Sequence, residues 1–394
     1  MEFELIWLLV LPLCYGLGWL AARHESRGAS RARDLPDAYF RGLNFLLNEQ
    51  PDRAIDEFID VVRLDPETVE LHFALGNLFR RRGETDRAIR VHQNLIDRGG
   101  LDLDTRHHAV FELGEDFLKA GLLDRAEQAF MQLEETPWSH QALQHRLAIA
   151  QLVRDWPQAI ALASRLTSGD PSRQTVSALA HFHCELAARA LAGKSSDRFE
   201  QVRRHLDDAA AVSSSHPRIA LMRGELAMAQ GQPQAALAVW NGLRLEQPGW
   251  FALGARDWIS AHAALGLLDE GIATIEAQLE SQRSTDLFLA VLEARADRDG
   301  EARAIEWARA ALKRTPSLLG LERLLELRLR HPEGLEHRDE LELMRSLLRG
   351  QAQRLSRFVC AHCGFKARQY YWQCPGCSLW DSCAPQRAEE LERT

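Results

Sequence analysis

The chain has 394 residues, 46% of them hydrophobic and 26% charged, with a net charge of -8. That length holds two to four domains or one long array, and the balance excludes both bulk disorder and a polytopic membrane protein. The net acidity argues against a chain-wide nucleic-acid footprint, and seven cysteines are too few for a disulfide scaffold of this size.

The first element is Leu5 to Ala22, 18 residues without a charge. As a helix it spans about 27 Å, close to the hydrocarbon thickness of a bilayer. Trp7, Tyr15 and Trp19 suit the interfacial zones. Pro12 breaks a soluble helix but is tolerated in a membrane span. Glu2 and Glu4 precede the segment, while Arg23, Arg27, Arg31 and Arg33 follow it. The positive-inside rule then puts everything after residue 23 in the cytoplasm and the N-terminus on the opposite side of the membrane, the periplasmic side if the membrane is a bacterial inner membrane. A cleaved signal peptide is the rival, but the basic n-region is missing and Leu20-Ala21-Ala22 is a poor cleavage site. Residues 1–22 are therefore expected to form a transmembrane anchor and 23–34 a basic juxtamembrane linker. A cytoplasmic body is reducing, so clustered cysteines point to metal before disulfide.

Residues 35–350 carry one recurring spacing. A small residue is followed three positions on by an aromatic, nine further on by Ala, four further on by a large apolar residue and eight further on by Pro. Gly42, Phe45, Ala54, Phe58 and Pro66 fit it, as do Gly76, Phe79 and Ala88, and again Gly114, Phe117, Ala126 and Phe130. Ala159 with Pro171, Ala236 with Trp240 and Pro248, Gly271 with Ile275, and Ala304 with Pro316 continue it. Between Thr175 and Pro217 the pattern stretches. Turn signals such as Arg82-Gly83-Glu84-Thr85, Ala120-Gly121-Leu122-Leu123 and Gln230-Gly231-Gln232-Pro233 fall between paired helices. No β-rich stretch competes. The spacing resembles the tetratricopeptide repeat, which implies an all-α superhelical solenoid of about eight or nine helix pairs.

That resemblance implies a concave partner-binding face. Carried over position by position, it places Tyr39, Leu43 and Leu46 there from the first repeat. Glu70, Phe73, Asn77 and Arg80 come from the second, and His108, Phe111 and Glu115 from the third. Tyr39, Phe73 and Phe111 occupy the same slot and could line up as an aromatic ladder for a bound segment, or pad the seam between repeats. His181, His183 and Cys184 are read as ordinary helix residues, since no further ligand is near in sequence. No phosphate loop, His-Glu-x-x-His or nucleophile elbow is present, so no catalytic residue is expected and the chain is read as a non-enzyme.

At the C-terminus, Cys360-Ala361-His362-Cys363-Gly364 and Cys374-Pro375-Gly376-Cys377 stand ten residues apart. Two thiolates two residues apart grip one ion from a tight knuckle, and two knuckles complete a tetrahedral four-sulfur site. Cys360, Cys363, Cys374 and Cys377 are thus the expected ligands of one ion, iron or zinc, which ligand type alone does not separate. Cys383 is expected to be a bystander. Tyr370, Tyr371, Trp372 and Trp380 can pack around so small a core. Arg354, Arg357, Lys366 and Arg368 form a local basic stretch. The site resembles a shortened rubredoxin knuckle pair of zinc-ribbon form, expected over 351–385, with a polar tail at 386–394. The short linker between knuckles weakens an electron-transfer role.

The order of anchor, repeats and knuckles resembles the lipopolysaccharide assembly protein B family of Gram-negative bacteria. The resemblance rests on Leu5–Ala22, the repeats from Gly42 to Pro316, and the knuckles with Tyr370-Tyr371-Trp372-Gln373 between them. It implies an inner-membrane adaptor that works with the protease FtsH and promotes degradation of the lipid A deacetylase, under restraint by a second inner-membrane protein. The residues independently support a membrane-tethered scaffold, with homodimerisation through repeat edges open. An RNA-binding scaffold using the basic knuckle, and a rubredoxin-type electron carrier, are the alternatives.

Overall fold

The computed structural model describes residues 40–391, except 43, 46, 47, 49, 65–68, 99, 170–171, 331–336 and 356. The expected anchor at Leu5–Ala22, the linker at 23–34 and Tyr39 lie outside the described residues. Among those described, no helix is long and apolar enough to cross a membrane. The chain divides into two compact units, residues 1–149 and 150–394.

The first unit holds α1 (Pro51–Leu64), α2 (Val69–Arg82), α3 (Thr85–Asp97), α4 (Leu103–Lys119) and α5 (Leu123–Met131). Helix α6 (Ser139–Leu152) crosses the boundary. The second unit continues with α7 (Trp156–Gly169), α8 (Arg173–Ala192), α9 (Arg198–Val212), α10 (Pro217–Ala229) and α11 (Pro233–Glu246). Then come the single turn α12 (Pro248–Phe251), α13 (Ala255–Ala264), α14 (Leu268–Ser281), α15 (Thr285–Asp299), α16 (Glu301–Arg314), α17 (Leu318–Arg330) and α18 (Arg338–Leu355).

The repeat spacing has a direct packing cause. A Cβ on Gly42 would stand 2.4 Å from the Phe58 ring, one on Gly76 2.4 Å from His92, one on Gly114 2.7 Å from Phe130 and one on Gly224 2.0 Å from Trp240. Each small residue is thus the seat of a ring sixteen positions later on the partner helix. The repeat alanines Ala54, Ala88, Ala126, Ala159, Ala236 and Ala304 are fully buried, letting the two helices of a pair approach. The turns follow suit. Gly121 (φ 75°) and Gly231 (φ 71°) take the left-handed conformation that closes the first helix. The amides of Leu122 and Gln232 then donate back to the carbonyls of Phe117 and Ala227, both at 2.9 Å. Arg154 (φ 57°) does the same without a glycine.

Gly224→Ala is expected to destabilise the second unit by about 3 kcal/mol, because Trp240 is buried and cannot yield. Its indole nitrogen is also held by the Leu221 carbonyl at 3.1 Å. A denaturant midpoint equal to that of the parent would refute this seating.

Two boundaries differ from expectation. Pro248 does not simply end a helix; it starts α12, with Pro at its first turn, and so presents Trp250. The last array helix runs past residue 350 to Leu355, because Ala352 and Leu355 are buried against neighbours. Beyond it, β1 (Phe358–Cys360) is flanked antiparallel by β2 (Lys366–Ala367) and β3 (Cys383–Arg387), and α19 (Ala388–Leu391) closes the described chain.

Candidate metal centre and its seat on the repeats

Both knuckles are built alike. In the first, the amide of Gly364 donates to the Cys360 carbonyl at 3.0 Å, and that of Cys360 to the Phe365 carbonyl at 2.9 Å. In the second, Ser378 donates to Cys374 at 2.8 Å and Cys374 to Leu379 at 2.9 Å. Gly364 (φ 73°) and Ser378 (φ 58°) are the equivalent left-handed positions. Gly376 serves another end: a Cβ there would crowd Phe365 and the Cys363 sulfur at 3.2 and 3.3 Å.

The four sulfurs of Cys360, Cys363, Cys374 and Cys377 all lie within 4.8 Å of one another. Cys360 and Cys377 are 3.8 Å apart, and Cys363 and Cys374 3.7 Å. A tetrahedral ion with sulfur ligands at about 2.3 Å requires edges of about 3.8 Å. The residues therefore fit a four-thiolate ion, and these four would hold it. Cys383 pairs across the sheet with Cys360 and is buried. Burial pushes its thiol up to about 11.

The ribbon's aromatic residues face the repeats. Trp380 stacks on His181 at 4.5 Å, meets Phe182 edge-on at 5.8 Å, and donates from its indole to Gln151 at 2.9 Å. Trp372 stacks on Trp250 of α12 at 5.1 Å and 9°, with the Arg218 guanidinium 5.6 Å from its ring. Between them Asp381 reaches into the repeats, accepting from Ser177 and from His181 Nε2 at 2.8 Å, with His216 Nε2 at 3.6 Å. Arg218 donates to His181 Nδ1 at 3.2 Å and pairs with Glu185 at 2.6 Å. An arginine is always a donor, so the proton of neutral His181 sits on Nε2 and points at Asp381.

The electrostatics follow. Burial pulls the His181 imidazole down to about 4, against the opposing pull of Asp381. Burial alone would raise the Asp381 carboxyl, but the hydrogen bonds from His181 and Ser177, with the His216 imidazole nearby, hold it far below the usual carboxylate range. The pair is thus a charged acceptor held by neutral donors.

Over the described residues 386–391 of the expected polar tail, the chain forms a strap on the repeats, while 392–394 lie outside the described residues. Arg387 forks onto Asp286 at 2.7 to 3.1 Å. Glu389 accepts from the Ser317 hydroxyl at 2.8 Å and from the Leu318 amide, and Glu390 accepts from the Thr285 amide at 2.9 Å. The two acids thereby cap the N-termini of α17 and α15, where carboxylates are favoured.

The comparisons with known proteins agree with this architecture. A family described as rubredoxin metal binding domain matches residues 358–385, and the tetratricopeptide repeat matches residues 41–102. Lipopolysaccharide assembly protein B of Escherichia coli K12 is 33% identical over 387 residues, 98% of each chain. The Haemophilus influenzae protein of the same name is 28% identical over 401 residues, covering 98% of this chain and 99% of that one. The chain belongs to the lipopolysaccharide assembly protein B family. A solved tetratricopeptide repeat protein from Parabacteroides merdae overlays more loosely, at 14% identity and a TM-score of 0.28 over 74% of this chain and 97% of that one.

In this member of the lipopolysaccharide assembly protein B family, the residues carried onto a concave face fare unequally. Phe73 stacks on His108 at 4.2 Å, His108 on Trp138 at 5.0 Å, and Trp138 meets Phe111 at 5.0 Å. Phe73 and Phe111 thus belong to one aromatic run, with His108 and Trp138 between them. Asn77 is half-buried and its Oδ1 has no hydrogen-bond partner. Arg80 is engaged within the protein, by Glu112 at 2.6 Å and Asp116 at 2.8 Å, and Asp116 in turn holds buried His92 at 2.5 Å. Trp372, Trp380 and Asp381 are the residues that sequence reasoning left in the ribbon's own core or unassigned. His181 was read as an ordinary helix residue because its partners, His216 and Asp381, lie 35 and 200 positions away.

Proposed function

We propose that this protein is a membrane-tethered, non-enzymatic adaptor that regulates lipopolysaccharide synthesis by presenting the lipid A deacetylase to the protease FtsH. The observation that carries this reading is the match to lipopolysaccharide assembly protein B over 98% of both chains, spanning the N-terminal segment, the repeats and the ribbon alike. The residues are those an adaptor needs. Helical repeats offer extended surfaces for other proteins, and the Phe73–His108–Trp138–Phe111 run is the first candidate for client contact. The apolar Leu5–Ala22 segment would hold the body on the cytoplasmic side of the inner membrane. Tethering raises its effective concentration toward a membrane protease and toward an inner-membrane partner that restrains it. The ion, iron or zinc, would set the ribbon's fold, and the ribbon would brace the repeats.

Reconstitution tests this directly. In proteoliposomes containing FtsH, the full chain should speed degradation of the deacetylase, a form lacking residues 1–22 should not, and Phe73→Ala with Phe111→Ala should weaken client capture. Equal degradation with and without the full chain would overturn the reading.

A further inference from the structure

The hairpin of α8 and α9 carries a cluster distinct from the four cysteines and from the Asp381 contact. His183 of α8 meets His205 and Asp208 of α9, and one donor atom of each lies within 4.8 Å of the other two. His205 and Asp208 are three apart and share a face of their helix. The Nδ1 of His183 stands 3.8 Å from an Asp208 oxygen, too far for a hydrogen bond. The two imidazole centroids are 6.3 Å apart. Both Nδ1 atoms, of His183 and of His205, are buried and have no hydrogen-bond partner. An unpaired buried polar atom is costly, and here two belong to imidazoles gathered around one carboxylate. The adjacent Asp207 is engaged by Arg223 at 2.8 Å.

We propose that His183, His205 and Asp208 form a second metal site, separate from the four cysteines, for a borderline divalent ion of the zinc class. Two imidazoles and one carboxylate are a ligand set such an ion takes, with water completing the shell. The Asp208 side chain is half exposed, which leaves a side open for that water. Tetrahedral ligands at about 2.0–2.1 Å lie about 3.3 Å apart, so the 3.8 Å contact closes with a small turn of an exposed side chain. Burial holds both imidazoles below their ordinary value, so each is a neutral ligand at neutral pH. Arg204 beside His205 opposes a cation, and the Asp208 charge offsets it. The ion would clamp α8 to α9 where the repeat spacing stretches.

The test is a calorimetric titration of the full chain with zinc chloride, its four-cysteine site already loaded with zinc. One further zinc per chain is expected. His183→Ala and His205→Ala should each weaken it by roughly tenfold or more, and Asp208→Asn by less. His337→Ala, at an exposed histidine, should leave it unchanged. Added zinc should raise the melting temperature of the parent and not of the imidazole variants, with helical circular dichroism verifying their folding. Should His183→Ala fail to fold, His205→Ala and Asp208→Asn decide alone. No zinc beyond the four-cysteine site, or a further zinc retained by the folded imidazole variants, overturns the proposal.

Discussion

Asp381→Ala releases the ribbon from the repeats while its four cysteines keep their ion. The carboxylate accepts from Ser177 and from His181, whose side chain has no exposure at all. Its removal leaves the His181 Nε2–H buried with no charged acceptor, at a cost of about 3 kcal/mol. Hydrogen exchange over residues 372–383 should then accelerate, and the fluorescence of Trp372 and Trp380 should shift toward that of wet indoles. Unchanged exchange in that segment would show that the tryptophans alone hold the ribbon down.

Burial of His181 sets a pH dependence with a definite sign, against the opposing pull of Asp381. Folded His181 titrates near 4, well under its ordinary 6.5, in a setting of Asp381, His216, Arg218 and Glu185. Between those values the unfolded chain takes up a proton that the folded one refuses. Stability from this group is therefore complete above pH 6.5 and is lost as the pH falls toward 4. The slope is at most about 1.4 kcal/mol per pH unit and the whole is roughly 3 kcal/mol. His181→Gln should flatten this part of the curve.

The second large effect comes from the metal ligands. In Cys374→Ser with Cys377→Ser, the four-sulfur site loses half its ligands, and so small a sheet has little apolar core to fall back on. The ribbon and its strap contact residues from Gln151 and Ser177 to Asp286 and Leu318. Its unfolding should lower the melting temperature of the second unit by on the order of 10 °C, at about 2–4 °C per kcal/mol. Chelation of the parent should reproduce the shift. A melting curve insensitive to both would mean that the ribbon rides on the repeats without bracing them.

What could be read from the chain depended on range. The four cysteines and the glycine-to-ring spacing are local patterns, and each names its own partner: Gly114 needs Phe130 sixteen residues on, Cys360 needs Cys363. The docking face was illegible for the opposite reason. His181 looks like any helix histidine until Asp381 arrives from the ribbon, and Trp372 and Trp380 look like filler for a small core until Trp250 and His181 are placed beside them. The partners of residues 387–390 are distant in sequence too. Gln386-Arg387-Ala388-Glu389-Glu390 is polar enough for a loose tail, yet Glu389 is 3% exposed because the N-terminus of α17 satisfies its charge. Repeat position alone puts Arg80 on a concave face and does not reveal that Glu112 and Asp116 of α4 engage its guanidinium.

Delivery of a client for destruction is tested most directly by the half-life of the lipid A deacetylase after depletion of this chain in the native bacterium. Depletion should lengthen that half-life, and only the intact chain should restore it. Forms lacking residues 1–22, or carrying Cys374→Ser with Cys377→Ser, should fail. A half-life that does not move on depletion would contradict the adaptor reading outright.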